Sequence, residues 1–253
     1  MSETNTAATT KPQVALRPIP ANHSVACALA TLHNAAFATD DFLELMYGPL
    51  DEEVDSFASD IVNIMNGDLT ARFTQAVIMN PDSQSGSDTD PGTEHETLAG
   101  WAWWNIYPDK QSYLEAAKED KTRATKVPST ALNPAAYLDW KAEVIKRRER
   151  WIENSPNLGK NAESSEGGGG VAILQVLVVH PHYQNRGIGT QLLRHGLKEV
   201  EQRKIPAWLE ASDEGLHVYT KCGFRDVQDE IVIDMTNYGR EGFRNGICML
   251  RDA

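Results

Sequence analysis

The chain is poor in three things. It has only three cysteines, Cys27, Cys222 and Cys248, widely scattered and without a Cys-x-x-Cys pair. That spacing fits a reducing compartment, excludes a disulfide scaffold or a structural zinc site, and gives no reason to expect a metal. Basic residues are outnumbered, with 24 Lys and Arg against 36 Asp and Glu, for a formal charge of −12. A global excess of acid argues against nucleic acid as a partner, because phosphate binding needs a basic field. Long apolar runs are missing as well. A membrane helix needs about 18 apolar residues, and the longest candidate, Val171 to Val179, is shorter and broken by Gln175. Residues 1–12 are polar and lack the apolar stretch of a secretory leader. Their one basic residue, Lys11, and the acid Glu3 fit a transit peptide poorly. The expectation is a cytoplasmic protein without a membrane partner, the nucleus remaining open.

What remains is sufficient for a globular core. The chain has 253 residues, 41% hydrophobic and 24% charged. At roughly 150 residues per domain, that is one large domain or one domain with a substantial insertion. Residues 1–12 read as a disordered tail and 13–253 as a single domain. Val14 to Ile19 is a short strand candidate stopped by Pro20. Val25, Leu29, Leu32 and Ala36 recur at helical spacing from Ala21 to about Phe37. Asp51 to Asn66 is a second helix with Val54, Phe57, Ile61 and Ile64 on one face and Gly67 after it. Phe73 to Met79 and Leu98 to Tyr107 are strands, separated by a polar loop from Asn80 to Glu96.

The stretch from about 109 to 169 matches neither flank. Its second half is a helix, with Asn133 as N-cap, Pro134 at the first position, and Tyr137, Trp140, Val144 and Trp151 in a stripe. Lys141, Lys146, Arg147, Arg148 and Arg150 read as a solvated face. Ser164 to Gly170 reads as a flexible linker outside any core.

From Val171 the pattern sharpens. Val171 to Val179 is a near-continuous apolar run, as in a strand buried on both faces. A glycine-bearing loop, Gln184 to Gly189, leads into a helix whose Leu193, Leu197 and Val200 face a core. Ala207 to Ala211 is a strand, Asp213 to Lys221 a short helix stopped by Gly223, and Phe224 to Met235 a long strand. Strands alternating with single helices imply crossover connections in a mixed α/β sheet. Glycines at 187 and 189 permit close backbone approach to a ligand, the helix N-terminus after them suits a pyrophosphate, and Arg186 can add a charge-assisted hydrogen bond. A dinucleotide fingerprint would need a small residue where Leu192 stands, and a Walker loop would need Gly-Lys-Ser/Thr before the helix. The loop is neither.

The segment Gln184-Asn185-Arg186-Gly187-Ile188-Gly189 resembles the acetyl-CoA signature of the GNAT acyltransferases. Thirty residues on, Tyr219-Thr220-Lys221-Cys222-Gly223-Phe224 is similar to that superfamily's Tyr-x-x-x-Gly-Phe. The resemblance is specific from about Val171 to Asp234 and topological before it. It implies a central, mixed, mostly antiparallel twisted sheet flanked by helices, with a helical insertion at about 109–169. It implies acetyl-CoA as co-substrate, backbone pairing of Leu177, Val178 and Val179 with the pantetheine arm, and a grip on the diphosphate by the turn Gln184, Asn185, Arg186, Gly187, Ile188, Gly189 and Thr190. Tyr219 would stand near the sulfur as general acid, or else be a packing aromatic. Ser212 occupies a position where many members carry a cofactor-touching Asn, and reads equally well as a helix cap.

The general base is less defined. Positions where some relatives carry histidines are Ile173 and Gln175 here. His180 and His182 fall beside the diphosphate end, and His217 on a surface helix. Glu210 is the remaining candidate, since a carboxylate in a sheet cleft can have a raised pKa. It reads equally as a structural acid, and a water chain can replace a protein base. For the acceptor, the junction Thr39 to Tyr47 mixes acids and aromatics suited to a cationic amine, or is a solvated acidic loop. Trp101, Trp103 and Trp104 are chiefly core, and the helix from Asn133 to Trp151 is a candidate lid. The reading is an N-acetyltransferase of the small-molecule type with an amine acceptor, monomer or homodimer. Its rivals are a protein Lys or N-terminal acetyltransferase and a non-catalytic acyl-CoA-binding module.

Overall fold

A computed structural model describes residues 13–49, 51–80, 95–154 and 169–253. Strand β1 (Gln13–Pro18) is followed by helices α1 (His23–Ala36), α2 (Asp41–Tyr47) and α3 (Val54–Gly67). Strands β2 (Ala71–Asn80) and β3 (His95–Asp109), then helices α4 (Lys110–Ala124) and α5 (Pro134–Arg148), complete the first half. The second half runs β4 (Gly169–Val179), α6 (Ile188–Arg203), β5 (Ala207–Ala211), α7 (Leu216–Lys221), β6 (Arg225–Asp226), β7 (Ile231–Asp234) and β8 (Phe243–Arg251). The sheet order is β1-β2-β3-β4-β5-β8-β6, with β7 also paired to β8. Every pairing is antiparallel except that of β4 with β5. This is the mixed, mostly antiparallel sheet that the resemblance implies.

Alternation along β3 sorts the core into faces. Trp101 packs with Leu29 and Ile61 under α1 and α3, and its Nε1 donates to Leu29 O at 3.0 Å. Ala102 and Trp104 face the other way, against Leu192, Leu193 and Leu197 of α6. A third cluster joins α2, α4 and α5 to Ile173, Trp208 and Cys248. Helix α5 starts where its cap chemistry requires: Asn133 accepts from the Ala135 and Ala136 N–H groups and Pro134 follows it.

Several elements differ from the sequence reading. The buried strand β4 begins at Gly169, paired with Asp109, so Gly169 and Gly170 belong to the core and not to a linker. A Cβ on Gly170 would sit 1.8 Å from Tyr107 O, which explains a glycine inside a strand. The rest of that linker, and most of the loop expected from Asn80 to Glu96, lie outside the described residues. The expected strand from Phe224 to Met235 is two short strands. Gln228, at φ 57 and donating its N–H to Asp226 Oδ1, breaks it. Helices α2 and α4 lie in stretches read as a junction and as unmatched chain.

The basic face of α5 is only partly solvated. Lys146 and Arg150 are exposed, whereas the Arg147 and Arg148 side chains retain 11% and 15% of their surface. Arg147 pairs with Glu143 and Asp229, and Arg148 with Glu210. A desolvated guanidinium needs such partners.

Candidate active site

Strands β4 and β5 run parallel for only two paired positions, Ala172 with Ala207 and Ile173 with Trp208. There β4 bends away. Trp103 pairs with Val176 while Trp104 pairs with Leu174, leaving Gln175 as the extra residue of a bulge. A bulge adds twist and bends the strand carrying it, so β4 and β5 part where Gln175 sits. Beyond that point Leu177, Val178 and Val179 are paired to Ala102, Trp101 and Gly100 of β3 and have no ladder partner on the β5 side among the described residues. Successive residues of a strand direct their N–H and C=O to opposite edges, so only alternate members of this trio face the opening. Val179 O already accepts from Gln184 Nε2 at 3.2 Å.

The mouth of the opening is the N-terminus of α6. His180 N–H donates to Ala99 O, and His180 Nδ1 accepts from the His182 N–H, which folds the connection over the end of β3. Arg186 lies 5.5 Å over the Tyr183 ring. Asn185 at φ 59 and Gly187 at φ 80 turn the chain into the helix. No side chain caps α6, and among the described residues no hydrogen bond is donated by the main-chain N–H groups from Asn185 to Thr190. Those donors carry the positive end of the helix dipole. A Cβ on Gly187 would meet nothing within 4 Å, and one on Gly189 only Val179 Cγ2 at 3.6 Å. Positive φ explains Gly187. The fold itself makes no such demand at 189, and what the absent Cβ preserves there is open space beside six unused donors. Such an arrangement suits an anion.

Tyr219 on α7 belongs to the same apolar cluster as Leu174, Leu209, Ala211 and Phe224, with Leu177 packed against it. Burial pushes its phenol well above the usual value, so the group is neutral. Ser212, at the end of β5, accepts the Gly215 N–H on Oγ at 3.3 Å and the Leu216 N–H on its carbonyl. It therefore acts as a cap for the turn into α7. His217 is exposed.

Glu210 points to the opposite face, where its surroundings do not suit the base role considered for it. Arg148 Nε and Nη2 donate to its two oxygens at 2.9 and 2.8 Å, and Trp208 Nε1 to Oε1 at 2.7 Å. Burial alone would raise its pKa; the charge and hydrogen bonds of Arg148, with Trp208, outweigh that and hold the carboxyl below the usual range. An ionised carboxylate so occupied is a poor proton acceptor.

The junction from Thr39 to Tyr47 is mostly packed. Asp40 caps α2 through the Phe42 and Leu43 N–H groups and pairs with Arg244 at 2.9 Å. Phe42 meets Trp140 edge-on and Tyr47 meets Tyr137. The wall is thus buttressed by α5, and its one exposed acid is Asp41.

One polar chain at the bulge escaped the sequence reading. Gln175 Nε2 donates to Asn105 Oδ1 at 3.1 Å, and Asn105 Nδ2 donates to Asp68 Oδ2 at 2.7 Å and to Thr70 Oγ1 at 2.8 Å. An ionised carboxylate only accepts, so Asn105 must turn its NH2 to Asp68 and its carbonyl to Gln175. Gln175 must then spend its NH2 inward and keep Oε1 as an acceptor. No partner for that oxygen is found among the described residues. The only sequence signal was a lone Asn in an apolar strand, one of two buried polar residues described.

Comparison with known proteins agrees with this architecture. A family model described as an acetyltransferase (GNAT) domain matches residues 157–226, which include β4, the α6 turn and α7. A search of curated proteins finds no match. A solved structure of the histone acetyltransferase HPA2 and related acetyltransferase from Corynebacterium glutamicum aligns with TM-score 0.52 at 15% identity, covering 95% of this chain and 97% of that one. NAA60 of Arabidopsis thaliana, bound to a bisubstrate analogue, gives 0.48 at 16% identity over 95% and 98%. The PaiA N-acetyltransferase of Thermoplasma acidophilum, in complex with coenzyme A, gives 0.45 at 14% identity over 95% and 99%. The likeness to the first is one of fold. Among the described residues, no helix is long and apolar enough to cross a membrane.

Proposed function

We propose that this chain, whose residues 157–226 match a GNAT acetyltransferase domain, transfers an acetyl group from acetyl-CoA to the amine of a small cationic molecule. The observation that carries this reading is the parting of β4 and β5 with an uncapped helix N-terminus at its mouth. The pantetheine arm would lie along the free edge of Leu177 to Val179, adding main-chain hydrogen bonds as a strand does. The diphosphate would sit on the amides from Asn185 to Thr190, with Arg186 beside it and Gln184 holding the turn to Val179.

The amine attacks the thioester carbonyl carbon; a C–N bond forms, the C–S bond breaks, and the thiolate takes a proton. Tyr219 is the donor in this scheme. A thiol has a pKa of about 8.5 and a phenol about 10, so transfer runs uphill by more than a unit even before burial raises the phenol further. The step is therefore useful only as the C–S bond breaks, when charge is already building on sulfur. Gln175 Oε1 would accept an N–H of the amine and orient its lone pair, and the amine's excess proton would leave through water. Ser212 would support the turn that carries α7. The acceptor's positive charge is favoured by its surroundings: from Pro18 to Ala71, which covers α1, α2 and α3, there is no Lys or Arg.

The test is thiol release from acetyl-CoA over polyamines, arylalkylamines, aminoglycosides and peptides, beside calorimetric binding of CoA. Turnover with a small amine supports the reading. Product confined to Lys or N-terminal peptides moves the chain to protein acetylation. Tight CoA binding with no thiol from any acceptor makes it an acyl-CoA-binding module.

A further inference from the structure

Helices α1 and α3 pack side by side through Ala26, Leu29, Ala58 and Ile61. On their outer surface His23 and Cys27, four residues apart and so on one face of α1, meet Asp55 from the first turn of α3. One donor atom from each of the three lies within 4.8 Å of the others. His23 Nε2 is 2.7 Å from Asp55 Oδ1. We propose that these three side chains bind one transition-metal dication, with Zn2+ the best match to the donors. The site lies on elements other than the parted strands and stands whether or not the acetyltransferase reading holds.

The chemistry of the set selects the ion. A thiolate and an imidazole favour zinc, cobalt or copper over magnesium and calcium, which take oxygen ligands alone. Tetrahedral zinc bonds of about 2.0–2.3 Å put ligand atoms roughly 3.3–3.8 Å apart, so closing the triangle needs movement of about an ångström. The side chains are free to make it, since those of His23 and Asp55 are 50% and 86% exposed. The same exposure leaves a fourth position for water.

The surroundings supply the attraction. Between Arg17 and Arg72 the sequence has no Lys or Arg and nine Asp and Glu, with Asp51, Glu52 and Glu53 just before α3 and Asp60 within it. No guanidinium or ammonium from this segment competes for Asp55. The His23–Asp55 hydrogen bond alone would satisfy those two groups, but it leaves unexplained a thiol within reach of both. Coordination would expel the thiol proton, so metal affinity falls as pH drops.

The experiment is titration of the full chain with Co2+, then Zn2+ as competitor. The expected result is one cobalt per chain with a thiolate-to-cobalt charge-transfer band, abolished by zinc and untouched by Mg2+ or Ca2+. Cys27→Ser should lose the band with an unchanged circular-dichroism spectrum, and Cys222→Ser should keep it. His23→Gln and Asp55→Asn should each weaken cobalt binding by about tenfold or more. A band that survives in Cys27→Ser, cobalt bound with no thiolate band, or no binding of either metal overturns the proposal. Since CoA is absent from the titration, the outcome is independent of any thiol-release result.

Discussion

Arg148 and Glu210 form a two-pronged, mostly buried ion pair, with N–O separations of 2.9 and 2.8 Å, that ties α5 to β5 two residues beyond the last β4–β5 pairing. The pair converts a helix that the sequence suggested as a lid into a wall fixed to the sheet. Removing one partner strands a buried charge, which costs roughly 3–5 kcal/mol, whereas replacing both with apolar groups is often neutral or better. Glu210→Gln and Arg148→Met should therefore each lower the urea midpoint sharply, and Arg148→Met with Glu210→Leu should recover much of the loss. Turnover per folded molecule should survive in Glu210→Gln. A variant with normal stability and no turnover would restore Glu210 as the base.

Tyr219→Phe removes one oxygen and keeps the ring that packs with Phe224, at 6.2 Å between centroids. If the phenol is the acid, kcat should fall by about 10²–10⁴-fold, the range of general-acid contributions. CoA affinity, measured by calorimetry, should stay within about twofold because the diphosphate grip is elsewhere. Since burial raises the phenol pKa, the alkaline limb of the pH–rate profile should be the same in both proteins. Equal kcat would remove Tyr219 from the chemistry.

The parts of this fold that local sequence announces are those made by local chemistry. The run from Val171 through Gly223 could be read because a buried strand, a turn with a required positive φ at Gly187 and an amphipathic helix each leave their mark within a few residues. Glu210 could not, because its partner stands 62 residues earlier in a run of basic residues that helical periodicity alone does not divide into wet and dry positions. Gln175 shows in the sequence only as a break in an apolar run and as a place where some relatives carry histidine; its setting depends on a bulge and on Asp68 through Asn105, two strands away. Counting cysteines likewise hid Cys27, whose neighbours come from two helices. The residues of β8 carry no flanking motif, and their strand is fixed by pairing with β5 and β7.

Gly187 and Gly189 separate folding from binding. At φ 80, Gly187→Ala enters left-handed backbone and should destabilise the chain by about 1–2 kcal/mol. Gly189 lies within α6 at ordinary φ with its nearest prospective contact at 3.6 Å. There Gly→Ala should be neutral or stabilising by up to about 1 kcal/mol, yet place a methyl group beside the free amides. The expected outcome for Gly189→Ala is an unchanged or higher Tm with CoA binding weakened at least several-fold in calorimetry. Unaltered CoA affinity would mean that the diphosphate lies elsewhere.

His33 gives the chain a pH dependence of its own. Its ring is packed against Phe37, Phe57 and Trp101. Burial lowers its pKa, against the opposing pull of the Asn34 hydrogen bond and the Asp40 charge. The unfolded chain therefore binds the proton more readily, near the ordinary histidine value of 6.5. By linkage, the contribution to stability is complete above that pH and is lost as pH falls from it through the folded value. His195 is shifted the same way and contributes in the same window, so the isolating measurement is a difference between proteins. The lowered carboxyls of Glu199, Glu210, Glu214 and Asp234 act only below the ordinary values of 4.5 for Glu and 3.8 for Asp. Urea unfolding of the wild type and His33→Gln between pH 7.5 and about 5 should show a steeper fall in the wild type. Parallel slopes would mean that the buried ring accepts its proton in place, without cost to the fold.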